Sequence, residues 1–155
     1  MANLAGKLAL VVDVDDSALA DGIAAGLVES AASVDRGPAA TLPRRLAQAA
    51  SGQAAPDVLV GDLVPLLALG SALAGLGRGL VVALADAGSP GVDTLGAELD
   101  RAGVTLLALH PATPGVTGRC IAALAMDPDI AEKSGGSFRV AELAREYRFS
   151  DPDAG

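Results

Sequence analysis

The sequence contains few of the residues that carry most protein chemistry. Its 155 residues include one cysteine, one histidine, one tyrosine and no tryptophan, and aromatic residues make up 2%. The core must therefore be built from Ala, Val and Leu, and such a core makes smaller contacts per residue. The single cysteine, Cys120, excludes an internal disulfide and fits a reducing cytoplasm. Because Cys120 lies in an apolar helix, we expect it to be buried.

Long apolar runs and positive charge are also scarce. No run reaches the roughly 18 to 20 apolar residues of a membrane span, and the most apolar stretch, 64–76, is short and contains Pro65. The start of the chain, MANLAGK, does not have the pattern of a secretory signal. The formal net charge of -8 argues against a nucleic-acid partner. We expect a cytoplasmic protein that binds neither membrane nor nucleic acid.

The stretch 7–27, KLALVVDVDDSALADGIAAGL, organises the chain. Residues 8–12 form an apolar run typical of a strand buried on both faces. An acidic loop follows, and Ser17 is a plausible N-cap for the next helix. In an α/β sheet such a turn, at the carboxyl end of a strand, is a ligand-binding position.

The remaining pattern alternates strands and helices. Strands are predicted at 31–34, 57–60, 80–84, 104–109 and 135–140, and helices at 42–50, 65–76, 92–102, 117–126 and 141–147. Because of its prolines and glycines, 110–118 is predicted to be a loop. This alternation predicts a Rossmann-like three-layer α/β/α fold with a mostly parallel sheet, in one domain spanning 1–155.

Polar residues follow several of the predicted strands. The candidate catalytic residues are His110, Asp86 and Asp62, which we expect at the carboxyl edge of the sheet, the edge where Asp13 also lies. There a carboxylate and an imidazole would act as an acid/base pair on a small molecule. The alternative is structural: turn carboxylates, helix N-caps and a histidine without catalytic function. No metal site is predicted.

Several segments resemble the short-chain dehydrogenase/reductase family. They are LAGKLALVV near the start, DVLVGDL at 57–63, GRGLVVALADAG at 77–88 and GVDTLGAELDRAGVTLLALHP at 91–111. The most specific is the tail at 123–155, ALAMDPDIAEKSGGSFRVAELAREYRFSDPDAG. The resemblance implies a Rossmann-like domain that is shortened by about 100 residues relative to the family.

The functional motifs of that family are missing. Its glycine-rich cofactor loop reads DVDDSALAD here, so the cofactor-binding positions hold Asp13, Asp15, Asp16 and Ser17, and carboxylates repel phosphates. The strand-end asparagines fall at Gly61 and Asp62, and the catalytic serine falls near Asp86. The Tyr-x-x-x-Lys pair is absent, since the tyrosine is Tyr147 and the lysines are Lys7 and Lys133. We therefore expect no cofactor.

The resemblance implies a catalytically degenerate member that acts as a subunit, forming a homo-oligomer or a hetero-oligomer with a full-length reductase. The family oligomerises through the helix represented here by 92–102 and through the terminal strand and helix, here 135–147. The candidate contact residues are Phe138, Val140, Leu143 and Phe149. For these side chains, packing within the monomer core is the alternative.

Two other functions remain open. One is an active enzyme with a reshaped site: an oxidoreductase using NAD(P), or a cofactor-free isomerase, cyclase or dehydratase using His110 and an aspartate. The other is a receiver-like phospho-acceptor domain, which the chain resembles in VVDVDDSALADG and PDVLVGDL. In that case Asp15, Asp16 and Asp62 would hold Mg²⁺ and accept a phosphoryl group, and His110 with Pro111 would replace the receiver's Lys-Pro.

Overall fold

Six short strands form one sheet in which every pairing is parallel. The structure is a computed structural model, and it describes residues 8–12, 17–29, 33–37, 57–63, 66–67, 73, 79–85, 91–111, 114–127 and 130–147. The strands are β1 (Leu8–Val12), β2 (Ser33–Gly37), β3 (Val58–Asp62), β4 (Leu80–Leu84), β5 (Thr105–His110) and β6 (Ser137–Arg139). The described helices are α1 (Ser17–Glu29), α2 (Val92–Arg101), α3 (Pro114–Met126) and α4 (Val140–Tyr147).

The strand order is β2-β1-β3-β4-β5-β6. The chain reverses its direction of travel across the sheet between β1 and β3, which makes that point a topological switch of a doubly wound fold. In such folds ligands bind outside the carboxyl ends of the strands. The predicted Rossmann-like α/β fold is confirmed.

Each face of the sheet has its own apolar core, because successive residues of a strand point to opposite faces. On one face Val58, Val60 and Leu109 pack with residues of α1, α3 and α4. On the other face Leu59 and Ala108 pack with residues of α2 and with Leu63, Leu66 and Leu73. We call these the α1 face and the α2 face. The core side chains are aliphatic, as the composition predicted.

Helices α1 and α3 touch through their backbones. A Cβ atom placed on Gly26 would lie 2.5 Å from the carbonyl carbon of Gly118. A Cβ atom on Gly118 would in turn collide with the carbonyl oxygen of Gly22. Only glycine fits at these two positions, so the approach of the helices is fixed by residues without side chains.

Asp57 fastens three strands at the amino edge of the sheet. Its Oδ2 atom accepts a hydrogen bond from the Leu8 backbone N–H at 3.0 Å. Its own N–H donates to the Leu8 carbonyl oxygen at 2.7 Å, and its carbonyl oxygen accepts from the Leu80 N–H at 2.9 Å. These hydrogen bonds therefore fix the register of β1, β3 and β4 at the amino ends of the strands.

A turn formed by Ser134, Gly135 and Gly136 precedes β6 and also forms hydrogen bonds with β5. The Leu106 N–H donates to Ser134 Oγ at 3.2 Å, and the Leu106 carbonyl oxygen accepts from the Gly135 N–H at 2.6 Å. Gly135 has a φ of 81°, a conformation that favours glycine. Its backbone lies so close to Gly96 of α2 that a Cβ on Gly96 would be 2.5 Å from the Gly135 Cα.

Most of the element predictions agree with the structure, and the bounds of several elements differ. β2 spans Ser33–Gly37, so Asp35, Arg36 and Gly37 continue the strand that they were predicted to end. α3 begins at Pro114, within the predicted loop 110–118, because proline is tolerated in the first turn of a helix. His110 is the last residue of β5.

The predicted helix at 42–50 lies outside the described residues. Of the helix at 65–76, the structure describes residues 66, 67 and 73.

Candidate functional site

The carboxyl edge of the sheet is where a ligand would bind. β3 ends there with Gly61 and Asp62, β4 is followed by Ala85, and β5 ends with His110. Asp62 is aligned with Leu84, which is aligned with Leu109. Asp62 and His110 thus lie at the same edge, as predicted, with one strand between them.

Asp62 and His110 belong to opposite faces of the sheet, because successive residues of a strand point to opposite faces. Asp62 follows Val58 and Val60 at intervals of two, so it belongs to the α1 face. His110 follows Leu106 and Ala108 in the same way, so it belongs to the α2 face. Two inter-strand spacings add roughly 10 Å between their backbones. Asp62 and His110 therefore do not face each other across the edge as an acid/base pair would.

His110 is half-buried, and its Nδ1 atom is buried. Its position in a strand comes from pairing on both sides: the preceding residue, Leu109, is aligned with Leu84, and His110 itself is aligned with Arg139 of β6. The neighbouring Ala85 N–H donates to the Leu109 carbonyl oxygen at 3.1 Å. His110 is thus held by the sheet rather than by a loop.

Several predicted site residues lie outside the described residues. These are the loop carboxylates Asp13, Asp15 and Asp16, together with Asp86. Ser17 is the first residue of α1, which agrees with its prediction as the start of the helix to within one residue.

One of the two lysines and the backbone of the tyrosine lie toward the amino edge of the sheet. Lys133 precedes β6, next to the amino end of β5, and its Nζ is 3.1 Å from Glu146 Oε2. Glu146 is in the last turn of α4, which runs back from the carboxyl edge after β6. Tyr147, the next residue, therefore also lies toward the amino edge. Lys133 Nζ is also 5.6 Å from the centre of the Phe138 ring.

Cys120 is buried in α3, as predicted. Burial raises the pKa of its thiol from 9.0 to about 12, because desolvation disfavours the thiolate. The thiolate is the reactive form of cysteine. Cys120 is therefore a packing residue and not a nucleophile.

The described residues also bear on metal and membrane binding. Among them, no group of three or more His, Cys, Asp or Glu side chains is arranged to hold a metal ion. Within the same part of the chain, no helix has both the length and the apolar character needed to cross a membrane.

Most of the side chains that were predicted to form oligomer contacts pack in or against the core of the chain itself. Val140 and Leu143 are 1% and 2% exposed, so the monomer-core alternative is the one observed for them. Phe138 is half-buried and packs against the same core. Phe149 lies outside the described residues. The outward positions of α2 carry Asp93, Thr94, Ala97, Glu98, Asp100 and Arg101, a predominantly polar surface.

Sequence reasoning missed Arg139. It is exposed, it ends β6, and it is the cross-strand neighbour of His110. The signal was present, since a residue that ends a predicted parallel strand lies at the ligand-binding edge. The strand was predicted to run one residue further, to Val140, and Arg139 was not considered.

Comparison with known proteins does not assign the chain to a family. No protein-family model and no curated protein matches the chain. Among solved structures, it is similar to the crystal structure of ornithine carbamoyltransferase from Gloeobacter violaceus, with 14% identity and a TM-score of 0.34. The match covers 90% of this chain and 57% of that chain, so this chain spans less than two thirds of its length. Likeness at this level says nothing about activity.

Proposed function

We propose that the protein is a non-catalytic relative of the short-chain dehydrogenases/reductases that acts as a subunit, paired with itself or with a full-length reductase. One observation carries the proposal. Within the described residues, the carboxyl edge of the sheet carries Asp62, Ala85, His110 and Arg139 but no tyrosine and no lysine. Proton transfer in that family depends on a tyrosine whose phenol pKa is lowered by a nearby lysine.

The position of Lys133 and Tyr147 supports the same conclusion. Both lie toward the amino edge, the side of the sheet opposite to the one where doubly wound folds bind ligands. Lys133 forms an ion pair with Glu146 and stabilises the packing of α4. Within the described residues, the doubly wound sheet is present and its carboxyl edge carries neither a tyrosine nor a lysine.

The described surface does not resemble an obligate dimer interface. The outward side of α2 is polar, and Val28 is the one exposed large hydrophobic residue among the described residues. Obligate dimer interfaces are more apolar than this, whereas non-obligate interfaces resemble the rest of the surface. A reversible contact with a reductase subunit is consistent with such a surface.

Two measurements test the proposal. Calorimetric titration with NADH and NADPH should give no binding, with an active short-chain reductase as the positive control. Micromolar binding of either nucleotide would overturn the non-catalytic assignment. Size-exclusion chromatography with light scattering should detect a dimer, or a complex after mixing with a full-length reductase. A monomer under both conditions would overturn the subunit role.

A phospho-acceptor function is the second candidate, and the strand order favours it. The order of the first five strands, 2-1-3-4-5, is that of response-regulator receivers, and Asp62 ends β3 as their phospho-acceptor does. His110 and Ala85 depart from the lysine and hydroxyl residues of those domains. The test is labelling by acetyl phosphate with Mg²⁺, which Asp62→Asn should abolish and the exposed control Asp21→Asn should not. The absence of labelling in the unmodified protein would eliminate this candidate.

A further inference from the structure

His110 and Arg139 are cross-strand neighbours at the carboxyl ends of β5 and β6. Aligned residues on adjacent strands are roughly 5 Å apart and point to the same face of the sheet. Phe138 packs against the core of the α1 face, so Arg139, the next residue, belongs to the α2 face with His110. The side chains of His110 and Arg139 thus leave the sheet on the same face from neighbouring positions.

The described carboxylates do not pair with Arg139. Asp62 belongs to the opposite face. Asp93 of α2 lies against Gly135 through its backbone, and its Oδ1 accepts a hydrogen bond from the Thr94 N–H at 2.9 Å. Within the described part of the chain, no carboxylate forms an ion pair with Arg139. Among the described residues, the charge of Arg139 is therefore not offset by an ion pair.

We propose that His110 and Arg139 form a subsite for an oxyanion, the carboxylate or phosphate group of a small molecule. A guanidinium group is always charged and matches the two oxygens of such a group with paired N–H donors. An imidazole at the neighbouring position offers a further hydrogen-bonding group. The pair lies at the carboxyl edge of the sheet, at its β5–β6 end and apart from the switch point between β1 and β3. The subsite does not depend on whether the chain is catalytic, because it requires binding alone.

The single histidine makes the subsite directly observable. His110 is the one histidine of the chain, so the ring protons of the imidazole give one set of histidine signals in a proton NMR spectrum. Inorganic phosphate and malonate are titrated separately into the full chain at one fixed pH. Sodium chloride at matched ionic strength is the control for screening. The phosphate and malonate arms distinguish a phosphate ligand from a carboxylate ligand.

The expected result is a saturable shift of the His110 signals with phosphate, malonate or both, and no saturable shift with chloride. Arg139→Gln should weaken the binding by roughly tenfold or more, since it removes charge-assisted hydrogen bonds. Arg145→Gln, at an exposed position of α4, is the matched control and should leave the binding unchanged. A non-saturable response, or equal binding by the Arg139→Gln and Arg145→Gln variants, would overturn the proposal.

Discussion

Gly26 of α1 and Gly118 of α3 face each other so closely that a Cβ on Gly26 would lie 2.5 Å from the Gly118 carbonyl carbon. Gly26→Ala should therefore force the helices apart. Overpacking of this kind costs about 1–3 kcal/mol, partly offset by a gain of about 1 kcal/mol in helix propensity. Urea unfolding should show a net loss of stability.

Ala25→Gly is the control for the propensity term, because Ala25 is an exposed position of the same helix. It should destabilise by about 1 kcal/mol through propensity alone. If Gly26→Ala instead raised the free energy of unfolding by that amount, the close contact between α1 and α3 would be wrong.

The Asp57 side chain should contribute to stability through its hydrogen bond to the Leu8 N–H. Asp57→Ala leaves that N–H without its acceptor, which costs about 1–3 kcal/mol. Asp57→Asn keeps a side-chain oxygen and should retain part of the lost stability. Equal losses in the two variants, measured by denaturant unfolding, would contradict a role for the side-chain acceptor.

Ser134 should contribute to the stability of the fold, although it is far from the candidate site. Its Oγ accepts from the Leu106 N–H and is 3.5 Å from the Gly96 carbonyl oxygen. Ser134→Ala should cost about 1–3 kcal/mol, because a half-buried backbone donor loses its acceptor. Hydrogen exchange at the Leu106 amide should accelerate relative to the amide of Val82 in the centre of the sheet. An unchanged exchange rate at Leu106 would argue against this hydrogen bond.

The Cys120 thiol should be unreactive in the folded protein. Its pKa is raised by burial from 9.0 to about 12, so iodoacetamide should modify it only after denaturation. The raised pKa also makes stability depend on pH, because the folded state holds the thiol proton more tightly than the unfolded state. The contribution is complete below pH 9.0 and is lost as the pH rises toward 12.

Cys120→Ala isolates this thiol contribution. Between pH 9.0 and about 12 the unmodified protein should lose stability more steeply than the variant. Parallel stability curves for the two proteins, or rapid alkylation of the folded chain, would show that the thiol is accessible.

Local signals in the sequence predicted the bounds of several elements closely. β4 is an apolar run preceded by Gly79 and occupies the predicted residues 80–84. α2 ends just before Gly103, which has a φ of 85°, and the Val104 N–H donates to the Leu99 carbonyl oxygen, as in a Schellman motif. Such signals act within a few residues, so a sequence shows them directly.

Features that depend on distant residues were harder to predict. The start of α3 was missed because Pro114, Gly115 and Gly118 are typical of loops, although Gly118 is required by the contact with α1. The separation of Asp62 from His110 depends on strand register, which the sequence does not specify. The pairing of His110 with Arg139 requires knowing that β6 lies beside β5.

The short β6 has a consequence for the behaviour of the chain during synthesis. Five of the six residues of β5 are buried, and its outer edge pairs with Ser137–Arg139, Gly135 and Ser134. Until residues 134–139 emerge from the ribosome, β5 presents an apolar strand edge with unpaired backbone groups. Such an edge is a template for self-association. Residues 134–139 therefore cover this edge in the folded chain, and truncation before residue 134, which also removes the buried Val140 and Leu143, should yield insoluble protein.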